Sequence, residues 1–135
     1  MDASHRADAE THIETYRSRY GIEIDLELYD LTPENWAANY IPFHDTAGCY
    51  LFYSEDGDLL YVGKASLKNN LGRRIDSYFQ SNPFAPHPHH RWSAPPRYAL
   101  VVKVAEPWEA PSLEEYLIAK LNPRDNTLGI KPPPA

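Results

Sequence analysis

Cysteine occurs once in the 135-residue chain, as Cys49. An internal disulfide is therefore excluded, and the fold must rest on its apolar core. A lone thiol agrees with a reducing compartment and a cytoplasmic location. No run of about 18 apolar residues occurs, which excludes a membrane-spanning helix. The opening MDASHRADAE has no apolar block and does not read as a secretory leader. Basic residues are also in deficit: 13 Lys and Arg against 19 Asp and Glu leave a formal charge of −6. That balance speaks against strong unaided binding to nucleic acid, whose affinity comes mainly from phosphate neutralisation. Internal repeats are lacking too. What remains is a globular composition, 42% hydrophobic and 24% charged, long enough for one domain with a modest extension.

The missing positive charge is not missing evenly. Residues 1–47 hold ten acids and three bases, a net of −7, so residues 48–135 carry +1. The bland reading of the acidic front is a solvated surface. The sharper one is an extension that tunes or blocks a more basic groove behind it.

Periodicity and punctuation set the expected elements. Residues 7–19 have a helix-forming composition, with Gly21 as a stop. Ile22, Ile24, Leu26 and Leu28 alternate with polar residues, predicting a half-buried strand. Thr32-Pro33 reads as an N-cap and first helical residue, opening a short helix to about Asn39. Gly48–Tyr53 and Leu59–Val62 flank an Asp-Gly turn and predict a hairpin. Leu71–Phe79 is amphipathic and helical, and Tyr98–Val104 reads as a central strand. Residues 81–96, rich in Pro and His, form a loop or insertion. Ser112 with Glu115 reads as a capping box for a helix that Pro123 stops.

Five blocks in this order resemble one family. Gly48-Cys49-Tyr50 precedes Tyr61-Val62-Gly63-Lys64 across the hairpin. Leu71-Gly72-Arg73-Arg74, with Ile75 and Tyr78-Phe79, follows on a helix. Glu114-Glu115-Tyr116-Leu117-Ile118 and Pro123-Arg124-Asp125-Asn126 complete the set. Each block alone is weak. Together, over residues 48–126, they resemble the GIY-YIG nuclease superfamily, and Leu60–Ala65 and Ser77–Phe79 are nearest in wording to the N-terminal nuclease domain of the bacterial excision-repair incision subunit. Cys49 stands where the family usually has Ile or Val, and a small apolar residue suits that strand position.

The resemblance implies an α/β fold, a small mixed central sheet with surrounding helices. Its organisation would be an acidic extension over 1–47 packing on or flanking the core, a catalytic domain over 48–130 and an exposed proline-rich tail over 131–135. It implies hydrolysis of DNA phosphodiesters in DNA repair with one Mg²⁺ (or Mn²⁺). Glu114 would supply the metal's carboxylate; Glu115 is the alternative, set aside because the family's glutamate precedes the Leu-Ile pair by three. Tyr50 and Tyr61 would share one groove, one as general base and the other positioning water or phosphate. Lys64 and Arg74 would supply the positive charge that a phenol of pKa about 10 needs to act as a base. Arg74 would also stabilise charge on the phosphate. Arg73 competes for that role, since neighbours on a helix sit about 100° apart and one alone can face the groove. Asn126 would orient the groove by hydrogen bonding.

Each residue also has an ordinary explanation: sheet tyrosines, a first-turn acid, a solvated arginine, a turn asparagine. The competing functions are a weakly active or inactive nucleic-acid-binding module, and a nuclease subunit that needs a DNA-binding partner protein. His87, His89 and His90 have neither a nearby cysteine nor helical spacing for a metal, so an exposed loop is the simpler reading. Arg91, Trp92 and Arg97 also suit a DNA-contacting arm. His44 reads as a connector residue.

Overall fold

The computed structural model describes residues 1–79 and 92–126. Most of the Pro/His-rich segment and the proline-rich tail lie outside the described residues. Eight elements follow in order: α1 (Ala3–Tyr20), β1 (Ile24–Asp30), α2 (Pro33–Ala38), β2 (Gly48–Ser54), β3 (Leu59–Ala65), α3 (Leu71–Phe79), β4 (Pro96–Val104) and α4 (Glu109–Leu121). No described helix is long and apolar enough to cross a membrane.

The fold is α/β, built on one four-stranded sheet of order β1-β4-β2-β3. Every pairing in it is antiparallel, where a mixed sheet was expected. The cause is topological. The β3–α3–β4 crossover does bring β4 back parallel to β3, but β2 lies between them. No two parallel strands are therefore neighbours. The acidic front enters this sheet directly: β1 pairs with β4 from Ile24↔Val104 to Asp30↔Tyr98.

Because successive side chains on a strand alternate faces, β2 feeds two cores. Cys49, Leu51 and Tyr53 pack with Ala9, Ile13 and Tyr16 of α1 and Leu113 and Leu117 of α4. Tyr50 and Phe52 pack with Leu71, Ile75, Tyr78 and Phe79 of α3 and with Tyr29 and Leu31. β2 is buried along its whole length, which explains why it reads as a continuous apolar run rather than an alternation.

Local rules account for most boundaries. Gly21 ends α1 in the left-handed region at φ 63°. The Thr32 hydroxyl accepts from Asn35 N–H at 3.2 Å, with Pro33 at the first helical position. The expected Ser112 cap is not made. The N-cap position falls four residues earlier, at Trp108, and α4 starts at Glu109. Pro111 is tolerated because the N–H groups of a first turn have no intrahelical partner. The Glu109 carboxylate instead accepts from Glu106 N–H at 2.8 Å. Ser112 lies inside the helix and is hydrogen-bonded to the Tyr16 hydroxyl.

Candidate active site

The hairpin sets the two tyrosines. Tyr50 pairs with Gly63 and Phe52 with Tyr61, so Tyr50 and Tyr61 project from the same face, toward α3. Their ring centroids are 6.4 Å apart. Gly63 is required by Tyr50: a Cβ there would lie 2.4 Å from the Tyr50 Cζ and hydroxyl oxygen. The glycine thus makes room for the opposite strand's phenol.

α3 brings Arg74 and Tyr78 to this face, one turn apart. The Arg74 guanidinium carbon lies 5.1 Å from the centroid of the Tyr78 ring. Tyr78 and Tyr50 share a hydroxyl–hydroxyl hydrogen bond of 2.7 Å. Arg73 is exposed and Arg74 half-buried, so the geometry selects Arg74 for the tyrosine cluster. Tyr78 was not singled out as a site residue. Its position four after Arg74 on one helix face is the signal that would have found it. Trp92 also closes on the cluster, edge-on to Tyr61 at 5.8 Å, instead of standing out on an arm.

The two phenols differ in access. Tyr50 is fully buried and Tyr61 only partly. Burial pushes both hydroxyls above their ordinary pKa, and the nearby Tyr78 adds to the rise. Arg74 opposes the shift at both. Burial works against the Arg74 charge, yet the phenol oxygens of Tyr50, Tyr78 and Tyr61 hold it above its ordinary value.

α4 supplies the acid. Glu114 is half-buried and Glu115 exposed. Burial raises the Glu114 pKa; the positive charges of Lys64 and Arg74 pull it back. Lys64 pairs with Cys49, on the sheet face that packs against α4. Arg74 comes from the opposite face. Because β3 is the last strand of the sheet, the charges of Glu114, Lys64 and Arg74 interact around its outer edge.

Asn126 secures that edge. Its side-chain oxygen accepts from Val62 N–H at 2.7 Å, and its amide nitrogen donates to Val62 C=O at 2.8 Å. The carboxamide thereby takes the place of a further strand at Val62, between Tyr61 and Gly63. Asn126 is 4% exposed, so the pair of bonds is shielded from water.

Among the described residues no group of three His, Cys, Asp or Glu side chains could hold a metal ion. Zinc is poorly served by such a set. A hard cation of the Mg²⁺ or Mn²⁺ kind is different: it accepts one or two carboxylates and keeps water and substrate phosphate as its other ligands. The single carboxylate of Glu114 fits that chemistry. His44 is exposed, on the connector before β2, its ring tilted against Tyr40 with centroids 5.1 Å apart. Arg97 lies over the Tyr98 ring at 4.7 Å. His87, His89, His90 and Arg91 lie outside the described residues. Cys49 is wholly buried and donates to Ala110 C=O at 3.4 Å, a packing role.

Comparison with known proteins covers this same region. Three similar proteins are each named UvrABC system protein C. The one from Nautilia profundicola is 35% identical over 92 residues, that from Methanosarcina acetivorans 42% over 81, and that from Neisseria meningitidis 38% over 90. The alignments take in 60–62% of this chain but 12–15% of those proteins, so the chain spans only a small part of their length. The model of the UvrC-like GIY-YIG domain matches residues 46–127, from the start of the hairpin to just past Asn126. With more than half its length matched, and the matched part folding into the hairpin, α3 and α4 that carry the cluster, the chain belongs to the UvrC-like GIY-YIG domain family.

Proposed function

We propose that the protein is a divalent-metal-dependent endonuclease that hydrolyses DNA phosphodiester bonds, acting in DNA repair in the cytoplasm. The observation that carries the reading is the convergence at the β3 edge: two phenols and a guanidinium on one face, and a carboxylate that feels Arg74 and Lys64 from the other.

Glu114 would hold Mg²⁺ or Mn²⁺ through its carboxylate. A cation bound there supplies positive charge to the phosphate oxygens and acidifies coordinated water. The chain's own residues have separate tasks. Tyr61, the phenol with access to solvent, would hold the attacking water and, in its ionised form, accept its proton; burial disfavours that form, and the charges of Arg74 and a bound cation would have to offset it. Arg74 is the protein's nearby charge favouring the ionised form of that phenol. Its guanidinium also offers paired donors to the phosphate as negative charge builds. Tyr50, buried and bonded to Tyr78, positions Arg74 and acts on the phosphate only through it. Lys64 favours the ionised carboxylate of Glu114. Asn126 fixes Tyr61 indirectly, through Val62.

A second reading concerns how DNA is held. The front carries −7 and the rest +1, so phosphate neutralisation by this chain alone is weak. That charge supports a nuclease unit whose DNA affinity comes from a partner protein or a further domain.

Supercoiled plasmid with Mg²⁺ tests the enzyme reading. Nicking by wild type that is lost in Glu114→Ala supports it. Equal nicking by both, or none by either at low salt, removes it.

A further inference from the structure

A cavity of about 360 Å³ lies beside the candidate active site, on the far side of α3 from the tyrosine cluster. Its size falls within the roughly 300–1,000 Å³ typical of small-ligand sites. One wall comes from the front of the chain, outside the matched residues 46–127: Trp36 and Asn39 at α2, then Tyr40 and His44 of the connector. The other wall is the start of α3, with Asn70, Arg73 and the carboxylate of Asp76.

Three features point to one class of ligand. Tyr40 is 86% exposed, an unusual state for a large aromatic ring, and one side of it meets the His44 ring at a tilt of 32°. Such a ring is a ready platform for a flat aromatic guest. Next, the two asparagines keep complementary groups unused. Asn39 spends its amide N–H on Asn35, leaving its carbonyl oxygen as an acceptor. Asn70 spends its carbonyl oxygen on Arg73 N–H, leaving its amide as a donor. An acceptor and a donor beside an aromatic platform suit the edge of a nucleobase. Finally, Arg73 is exposed at the rim. It is the cationic group there for a phosphate, because the first N–H groups of α3 are already taken, and it must hold that phosphate at the rim, away from the Asp76 carboxylate. Leu71 donates to Thr46 C=O, Gly72 to His44 C=O, Arg73 to Asn70 and Arg74 to Asn70 C=O.

The same bonds fix the cavity to the catalytic helix. Gly72 permits the close approach, since a Cβ there would lie 2.7 Å from the Cβ of His44. Arg73 and Arg74 therefore leave one rigid turn in two directions, one toward the cavity and one toward the tyrosines.

We propose that this cavity receives an unstacked nucleotide of a DNA strand close to the scissile phosphate, its base stacked on Tyr40 and its phosphate on Arg73. The proposal rests on the endonuclease reading for the identity of the strand. A base taken out of the stack is costly in intact duplex and easily supplied by single-stranded or distorted DNA. The cavity thus selects such DNA over regular duplex.

The test is equilibrium binding of a fluorescein-labelled oligodeoxythymidylate in EDTA, where no metal-dependent cleavage occurs, over a range of salt concentrations. Tyr40→Ala and Arg73→Gln alter exposed side chains, and their circular dichroism is to match wild type. The expected results are a loss of about 5- to 150-fold in affinity for Tyr40→Ala, the range for removing one stacked base, and a salt slope shallower by about 0.7 for Arg73→Gln, the share of one single-strand phosphate. Wild-type affinity and slope in both variants would overturn the proposal. So would no binding by wild type at low salt, binding of thymidine monophosphate but not of the oligomer, or tighter binding of an oligouridylate of the same length. Plasmid nicking is scored separately: nicking with unaltered oligomer binding refutes the cavity alone, and oligomer binding without nicking refutes the nuclease reading alone.

Discussion

Asn126 offers the sharpest structural prediction. Its carboxamide satisfies both the N–H and the C=O of Val62, and its burial keeps water from replacing it. Asn126→Ala leaves a donor and an acceptor unpaired on the outer edge of β3. Each such buried group costs about 1–3 kcal/mol, so the pair should cost about 2–4 kcal/mol once partial relaxation is allowed. At about 2.1 cal/mol/K of unfolding entropy per residue, a chain of 135 residues has about 0.28 kcal/mol/K at its midpoint. The Tm should therefore fall by about 7–14 °C. Asn126→Asp can still accept from Val62 N–H but faces Val62 C=O with a second acceptor. It should fall in the same direction. Thermal melts followed by circular dichroism read the first effect, and hydrogen exchange at the Val62 amide reads its location. A drop below about 2 °C in Asn126→Ala, with Val62 equally protected, would refute the reasoning.

Four further expectations follow from the same geometry. Gly63→Ala places a Cβ 2.4 Å from the Tyr50 ring, which must displace the phenol; the cost should be about 1–3 kcal/mol, with loss of nicking, and a variant as stable and active as wild type contradicts the packing. Glu114 has its pKa raised mainly by burial, so the folded state holds its proton more tightly than the unfolded state, and that advantage is lost as pH rises through the folded pKa. Glu114→Gln should then be at least as stable as wild type at neutral pH in EDTA while losing metal-supported cleavage; a Tm several degrees lower would contradict it. Metal binding by wild type should weaken as pH falls and Glu114 takes up its proton, which titration calorimetry with Mg²⁺ can follow. Cys49 is buried, its thiol pushed up by burial and by the Glu114 charge, so Ellman's reagent should label it only at the rate of unfolding; prompt labelling in native buffer refutes its burial.

The parts of the fold legible in the sequence are those governed by local chemistry. Thr32-Pro33 opens α2, Gly21 closes α1, and Asp56-Gly57 turns the hairpin, each because a cap or a turn needs that residue type. α3 was legible from end to end, since Leu71, Ile75, Tyr78 and Phe79 mark one buried face. What escaped depends on distant partners. Ser112 looked like a cap but is engaged by Tyr16, 96 positions away. The strand order, with β4 between β1 and β2, is set by which apolar faces meet and has no local signature.

The candidate site divides in the same way. Residue types and order brought Tyr50, Tyr61, Arg74 and Glu114 into view. Arg74 over Arg73, and Glu114 over Glu115, agree with the more buried member of each pair. The part of Gly63 in seating Tyr50, the Tyr50–Tyr78 hydroxyl contact and the grip of Asn126 on Val62 required coordinates. So did the acidic front. Residues 24–30 form a strand of the sheet, and deleting them would strip β4 of a partner. A masking role for the front is better tested by neutralising the exposed Asp25 and Glu27 than by truncation.

The central claim is that Glu114 and a bound divalent ion make this cluster a nuclease. The most direct measurement is the single-turnover cleavage rate of a short end-labelled DNA, single-stranded beside a duplex, as a function of Mg²⁺ concentration. Wild type should show cleavage that saturates with Mg²⁺ and is abolished by EDTA. Glu114→Gln, folded to the same Tm, should be slower by at least about 100-fold. Cleavage that is independent of Mg²⁺, or equal in the two proteins, would contradict the account.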